Sequence, residues 1–293
     1  MNRLKIGVFA LFALFAAGFP SAGKEGGPWK EKTQQVGDIK VRYLEAGTGD
    51  RVLVFVPGWL TTADIWKEQI PYFSARGFRV IALDPRSHGG TTRTESGNTY
   101  QQHAADLHAF LGSLKIERCY IVGWGAGVTT LLDYLSSPEI LQPEKVVFVE
   151  GGPAEAKMED YPGLATAQQA RRLILSFQED RDKAMDQHMR ALFKTQQPEI
   201  LYKELSDSSK KTPTGAAVSL YFDLFTGDRR SALRHVGVPS LIVTTAESRA
   251  IGEYMKAKIA RSSLEIIEDA GSALFLDRPQ AFNQMLEAFL GEH

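Results

Sequence analysis

Apolar segments rich in β-branched residues alternate along the chain with segments whose apolar residues recur at helical spacing. Continuous apolar runs are typical of strands buried on both faces of a sheet, whereas apolar residues three and four positions apart indicate a helix with one buried face. Strands that alternate with helices predict an α/β fold, a mainly parallel twisted sheet with helices on both faces. The pattern predicts a hairpin over 33–47, strands over 51–58, 79–90, 119–124, 145–152, 239–246 and 264–271, and helices over 63–77, 98–114, 126–137, 253–261 and 278–290.

One segment interrupts this alternation. Residues from about 154 to 235 are rich in charge and contain no strand pattern, and RRLILSF, AMDQHMRALF and AAVSLYFDLF each predict an amphipathic helix. A helical insertion between two strands is placed to cover the carboxyl edge of the sheet, where open α/β sheets bind ligands. We therefore predict a helical cap at about 154–235, inserted in a domain that spans residues 33–293.

The first residues have the layout of a secretory signal peptide. Arg3 and Lys5 precede an apolar segment over 6–19, and small residues follow as far as Ala22. The apolar segment is shorter than the roughly 20 residues that a spanning helix needs. We predict a signal peptide over 1–22, a polar linker over 23–32, and export to a periplasm or the exterior with no stable membrane span after cleavage. An uncleaved anchor is the alternative.

The composition of the chain argues against several classes of function. The chain has 34 Lys and Arg against 35 Asp and Glu, so its charge gives no electrostatic reason to expect a nucleic-acid partner. A single cysteine excludes an internal disulfide. No histidine lies at a metal-ligand spacing such as H-E-x-x-H, so the sequence predicts neither a metal site nor a cofactor.

Four short motifs follow one another in a fixed order. They are VPGW (56–59), ALDPRSHGG (82–90), VGWGAG (122–127) and EDAGSALFLDRPQ (268–280). Together they resemble the α/β-hydrolase fold superfamily, and in particular its small esterases, lactonases and cofactor-free haloperoxidase-like proteins. The resemblance covers about residues 35–290. It implies that VGWGAG is the nucleophile elbow, the sharp turn between strand and helix that normally has the form G-x-S-x-G.

The chain departs from the family at two catalytic positions. Gly125 stands where the resemblance implies the nucleophilic serine, and Ser272 stands where it implies the histidine. Glycine cannot attack a carbonyl, and a serine hydroxyl is a poor base near pH 7. The carboxylate nearest the expected acid position is Glu247, while the resemblance still implies an oxyanion hole formed by the backbone N–H groups of Trp59 and Ala126.

The sequence supports two functions. The first is a non-catalytic or severely impaired hydrolase homologue that binds a small apolar or ester-like molecule; a protein partner stays open. The second is an active hydrolase or lyase on small ester- or lactone-like substrates that uses His88 as base, with a hydroxyl from Ser87, Thr91, Thr92 or Ser272. In either case the family layout implies an apolar ligand pocket, with core packing as the alternative for some members, lined by Trp59, Trp124, Tyr221, Phe222, Phe225 and Phe275.

Overall fold

The predicted α/β class is confirmed by a computed structural model, which describes residues 28–291. Eight strands form one sheet in the order β1-β2-β4-β3-β5-β6-β7-β8. The first two strands join the sheet in antiparallel fashion, and the remaining pairs are parallel. The strands are β1 Lys30–Val36, β2 Ile39–Ala46, β3 Arg51–Val56, β4 Phe78–Leu83, β5 Tyr120–Trp124, β6 Lys145–Val149, β7 Ser240–Thr244 and β8 Ser262–Ile266.

The helices follow the predicted order, with one helix divided. The predicted helix over 63–77 consists of a 3₁₀ turn at Ala63–Trp66 and a short α-helix, because Pro71 lacks the N–H group that a continuous helix would need there. A second 3₁₀ turn spans Arg230–His235. The α-helices are α1 Gln69–Ser74, α2 Tyr100–Ser113, α3 Ala126–Leu135, α4 Ala167–Glu179, α5 Arg181–Ala191, α6 Glu199–Ser209, α7 Thr214–Thr226, α8 Arg249–Lys258, α9 Leu274–Asp277 and α10 Pro279–Gly291.

Helices bury both faces of the central strands. In β3, Leu53 and Phe55 belong to the apolar core on one face and Val54 to the core on the other, and all three side chains are fully buried. Helices α1 and α10 pack on the first face, and α2, α3 and α8 pack on the second. Because successive side chains of a strand point to opposite faces, a strand covered on both sides must be apolar throughout.

The predicted cap is present as helices α4–α7 between β6 and β7. Its loop between α5 and α6 is fastened to the segment after β8 by one carboxylate, Asp277. That carboxylate accepts the backbone N–H groups of Lys194 and Gly271, both at 2.8 Å, together with the Thr195 hydroxyl and the Gln197 amide. Hydrogen bonds from these donors lower the pKa of Asp277, although burial opposes them.

The predicted linker ends earlier than the sequence pattern indicates. Strand β1 begins at Lys30, and Lys30–Lys32 pair with Tyr43–Glu45 of β2. Nearly all side chains of this edge strand are exposed, so its polar composition concealed the strand. The predicted signal peptide lies outside the described residues. Within residues 28–291, no helix is both long enough and apolar enough to span a bilayer.

Candidate active site

The turn between β5 and α3 has the backbone of a nucleophile elbow with no side chain at its tip. Gly125 adopts φ 55° and ψ −119°, and its N–H donates to the Val149 carbonyl at 2.9 Å. A Cβ atom at Gly125 would have Gly58 Cα, at 3.8 Å, as its nearest neighbour. The space for a nucleophilic side chain therefore exists, and only the side chain is missing.

The two glycines that flank the tip are required by close backbone packing. A Cβ atom at Gly123 would lie 2.7 Å from the Gly127 carbonyl oxygen, and one at Gly127 would lie 2.6 Å from the Val56 oxygen. These separations are below van der Waals contact, so β3, β5 and α3 approach one another only because both residues are glycine. The turn thus has both of the glycines that its packing requires, with a third glycine at its tip.

Two backbone N–H groups remain available beside the tip. Val56 and Gly123 are paired across β3 and β5, which brings the turn that contains Gly58 and Trp59 against the elbow. The Trp59 N–H has no hydrogen-bond acceptor within residues 28–291. Ala126 is the first residue of α3, and the N–H groups of a helix's first turn have no partner inside the helix. Both amides fit the role of an oxyanion hole.

Ser272 lies in the loop between β8 and α9 and is partly exposed. Its carbonyl oxygen accepts the indole N–H of Trp124 at 2.7 Å, which ties this loop to the residue immediately before the elbow tip. The Ser272 hydroxyl has no hydrogen-bond partner among the described residues. Without an adjacent base, a serine hydroxyl in this position is neither a nucleophile nor a proton acceptor.

The buried carboxylate at the ends of β6 and β7 belongs to Glu150 and not to Glu247. The Glu247 side chain is exposed, whereas the next residue, Ser248, is buried and donates its hydroxyl to the carboxylate of Glu150. Glu150 directly follows β6, has φ 44°, and also accepts the N–H of Thr245. Burial raises the pKa of Glu150 despite these hydrogen bonds. The expectation for Glu247 is corrected, because its side chain lies in solvent at the end of β7.

His88 is held by the backbone through both of its ring nitrogens. Nδ1 donates to the Arg86 carbonyl at 2.8 Å, and Nε2 accepts the Leu60 N–H at 3.2 Å. Leu60 has φ 58°, an unfavourable value for a leucine, so His88 stabilises the strained turn that presents Trp59. Complete burial lowers the pKa of His88 to about 4. A base role for His88 is therefore not supported, because neither nitrogen is free to take a substrate proton.

The hydroxyl groups near His88 are also engaged in the loop. Ser87 Oγ lies 3.3 Å from Thr94 Oγ1. Thr91 Oγ1 donates to the Asp84 carbonyl at 2.7 Å, and Thr92 Oγ1 accepts the Lys40 N–H at 2.9 Å. These contacts hold the 84–92 loop against β2.

The sequence profile described as "Alpha/beta hydrolase family" matches residues 53–285. The chain belongs to the α/β-hydrolase family. The 3-oxoadipate enol-lactonase 2 of Acinetobacter baylyi is 29% identical over 261 residues, which cover 86% of this chain and 94% of the lactonase. The bromoperoxidase from Bacillus anthracis aligns with a TM-score of 0.83 at 23% identity, over 90% of this chain and 100% of that one. An esterase from Exiguobacterium antarcticum aligns with a TM-score of 0.84 at the same identity and coverage. The two structural likenesses show the fold.

Two of the predicted pocket aromatics meet beneath the cap of this α/β-hydrolase. The Trp59 ring lies 5.0 Å from that of Tyr221 in α7 and 5.4 Å from that of Phe177 in α4, measured between ring centroids. The Trp59 indole N–H donates to the Ala217 carbonyl at 3.1 Å. The cleft that Trp59 shares with α4 and α7 encloses no volume that a water molecule could occupy. A ligand therefore needs the cap to move, or must bind at the partly exposed elbow tip.

The other predicted pocket aromatics lie elsewhere. Phe275 stacks on Trp66 at 4.2 Å and contacts Trp124 edge-on at 5.1 Å, so these rings form the core behind the elbow. Phe225 is half-buried and packs on the same core. Phe222 is 62% exposed and is corrected as a pocket residue, because it lies on the face of α7 opposite the buried residues.

The site thus has two backbone N–H groups beside the tip of the turn, no side chain at Gly125, and a hydroxyl rather than an imidazole at Ser272. Two N–H donors lie beside an open tip, and a buried carboxylate lies at the ends of β6 and β7. Sequence reasoning missed Glu150, although a carboxylate directly after the apolar run KVVFV was a signal that could have revealed it. Within residues 28–291, no three His, Cys, Asp or Glu side chains are grouped to hold a metal ion.

Proposed function

We propose that this chain is an exported α/β-hydrolase-family protein that binds a small apolar, ester- or lactone-like molecule at the elbow without Ser–His hydrolysis. The observation that carries the proposal is the intact elbow backbone at Gly125 with free space where a side chain would lie. The relatives include an enol-lactonase and an esterase, which favours a ligand with a carbonyl group. Export rests on the signal-peptide pattern of residues 1–22.

The size of the catalytic loss supports a binding role. Removing a principal member of a Ser–His–acid triad lowers kcat by roughly 10⁶-fold. The oxyanion hole and the binding groups alone still give a rate enhancement of about 10³–10⁴ over the uncatalysed reaction in water. Gly125 and Ser272 together lack both reacting groups, and His88 does not replace them. The two amides of Trp59 and Ala126 can still hold a carbonyl oxygen, since backbone donors do not depend on the missing side chains.

The first experiment tests for hydrolysis. The purified protein is treated with a fluorophosphonate probe and assayed with p-nitrophenyl acetate. We expect no labelled serine and no hydrolysis above the buffer rate. Stoichiometric labelling of Ser272 or Ser87 would show an activated serine and refute the non-catalytic part of the proposal.

The second experiment tests binding at the elbow. Methyl phenylacetate carries an ester carbonyl and an apolar ring, and its binding is followed by the fluorescence of Trp59 and Trp124. Gly125→Leu fills the free space at the tip and is expected to abolish binding. Gly37→Leu is the matched control, because Gly37 has φ 53° and open space around its Cβ position but lies in the β1–β2 turn. Binding that survives Gly125→Leu places the ligand elsewhere and overturns the proposal.

A further inference from the structure

A cap histidine, His188, lies against the residue that supplies one of the oxyanion-hole amides. His188 is in the last turn of α5, and its ring meets the Trp59 ring edge-on with 5.2 Å between centroids. The side chain is partly exposed rather than enclosed in the core. His188 is therefore a cap residue whose imidazole lies beside Trp59.

The bonding of His188 differs from that of His88. Both ring nitrogens of His88 are hydrogen-bonded to backbone, whereas the His188 ring contacts Trp59 and makes no hydrogen bond within residues 28–291. Partial burial beside Trp59 lowers the pKa of His188, so the ring is neutral near pH 7. A neutral imidazole offers one N–H donor and one nitrogen acceptor, and both remain available to a ligand.

The C-terminal end of α5 also reaches the loop that contains Ser272. Leu192 is the C-cap residue of α5, four residues after His188. Its carbonyl accepts the N–H of Ala273 at 2.8 Å. A Cβ atom at Gly271 would lie 2.5 Å from that same carbonyl oxygen. Helix α5 therefore contacts Trp59 through the His188 ring and the Ser272 loop through the Leu192 carbonyl, and these two segments flank the elbow.

We propose that His188 selects ligands that carry a hydroxyl group next to the bound carbonyl, by accepting a hydrogen bond from that hydroxyl. The inference rests on the proposed function, because it assumes that the carbonyl oxygen binds the amides of Trp59 and Ala126. The ligand class is then a 2-hydroxy ester, a hydroxylactone or a related hydroxycarbonyl compound. His188 would determine specificity and take no part in bond cleavage.

The experiment compares methyl phenylacetate with methyl mandelate, which differs from it only by a hydroxyl group. The two enantiomers of methyl mandelate are measured separately, and binding is followed by tryptophan fluorescence and calorimetry. We expect the wild-type protein to bind one mandelate enantiomer about 3–10-fold more tightly than methyl phenylacetate, as one hydrogen bond provides. His188→Phe retains a ring against Trp59 and should reduce this ratio to about 1. His188→Gln retains an acceptor oxygen and should preserve most of the preference.

The exposed residue His235 supplies the control, since His235→Phe should leave the ratio unchanged. Equal wild-type affinity for both probes overturns the role of His188 and leaves the proposed binding function standing. A preference that persists in His188→Phe also overturns it, because another group must then detect the hydroxyl. Failure of every probe to bind the wild-type protein removes both the proposed function and this inference.

Discussion

Two polar regions at the carboxyl edge of the sheet differ in how completely their groups are bonded. In the loop after β4, buried Asp84 accepts the N–H groups of Ala63 and Gly90 and pairs with Arg42, and His88 uses both ring nitrogens. At the elbow, Gly125 has no side chain and the Ser272 hydroxyl has no partner among the described residues. The first region is closed by hydrogen bonds, and the second is open.

The difference separates the groups that hold the fold from those that would perform a reaction. A buried donor or acceptor that loses its partner costs about 1–3 kcal/mol, so replacing Asp84 or His88 in the 84–92 loop should reduce stability. A partly exposed catalytic residue has no comparable structural role. Glycine at the tip even relieves the strain that φ 55° would impose on serine. Catalytic positions can therefore change while the scaffold around them is retained.

The largest expected effect comes from introducing a serine and a histidine at the elbow. The double variant Gly125→Ser, Ser272→His should hydrolyse p-nitrophenyl acetate about 10³-fold faster than the wild-type protein, because the elbow geometry and the amide donors are already in place. Each single variant should stay within tenfold of wild type, since the serine and histidine act as a unit. Initial rates and fluorophosphonate labelling at position 125 measure the effect.

Glu150 provides the internal control for that variant. In the double-variant background, Glu150→Gln should reduce the gained rate by at least tenfold, whereas Glu247→Gln should leave it unchanged because Glu247 is exposed. Equal effects of the two substitutions would contradict the assignment of the acid position to Glu150.

Breaking the closed region should cost stability. Asp84→Ala removes a fully buried carboxylate and leaves two backbone N–H groups and part of the Arg42 charge unpaired, so the free energy of unfolding should fall by about 3–5 kcal/mol. Asp64 also pairs with Arg42 but is 52% exposed, and Asp64→Ala should cost less than about 1 kcal/mol. Urea denaturation of both variants checks the contrast, and similar losses would show that burial does not decide the effect.

A pH-dependent effect follows from His88. Its pKa is about 4 in the folded protein against about 6.5 in the unfolded chain, so only the unfolded state takes up this proton between those values. This contribution to stability is complete above pH 6.5 and is lost as the pH falls toward 4. Between pH 7 and pH 5, wild type should lose about 2 kcal/mol more than His88→Gln.

The measurement for His88 is urea denaturation at both pH values. His235 is exposed, so His235→Gln shows how removing a solvent-exposed histidine changes the pH dependence of the free energy of unfolding. Parallel pH profiles of wild type and His88→Gln would refute the claim that the fold requires His88 to be neutral.

The smallest expected effect is that of a methyl group at the elbow tip. Gly125→Ala should destabilise the protein by about 1 kcal/mol through backbone strain alone, since its Cβ has room. Gly37→Ala has a similar positive φ and open space around its Cβ position, and should cost a similar amount. Gly127→Ala places a Cβ 2.6 Å from the Val56 oxygen and should cost distinctly more. A Gly125→Ala loss as large as that of Gly127→Ala would mean that the tip is not open.

The order of the fold could be predicted because its physical signals are local. Each central strand is an apolar run, each long helix has a spaced apolar face, and the elbow glycines occupy alternate positions of one five-residue segment. Phe222 was misplaced because nearly every residue of YFDLF is apolar, which leaves the buried face of α7 undetermined by periodicity.

The chemistry of the site depends on partners that are distant in sequence. Glu150 meets Ser248 only because β6 and β7 are neighbours in the sheet, and His88 meets Leu60 across the turn after β3. No spacing rule reveals such contacts in a single sequence. The bonding state of a histidine, which separates His88 from His188, is likewise a property of the packed structure.

Asp277 has a mechanical consequence for the cap. Its carboxylate binds the α5–α6 loop and Gly271 at once, and the Leu192 carbonyl binds Ala273. While these hydrogen bonds are kept, the end of α5 and the Ser272 loop move together. A movement that lifts this side of the cap also withdraws Ser272 from the elbow, whereas a hinge that swings α4 and α7 off Trp59 opens the cleft and keeps Ser272 in place.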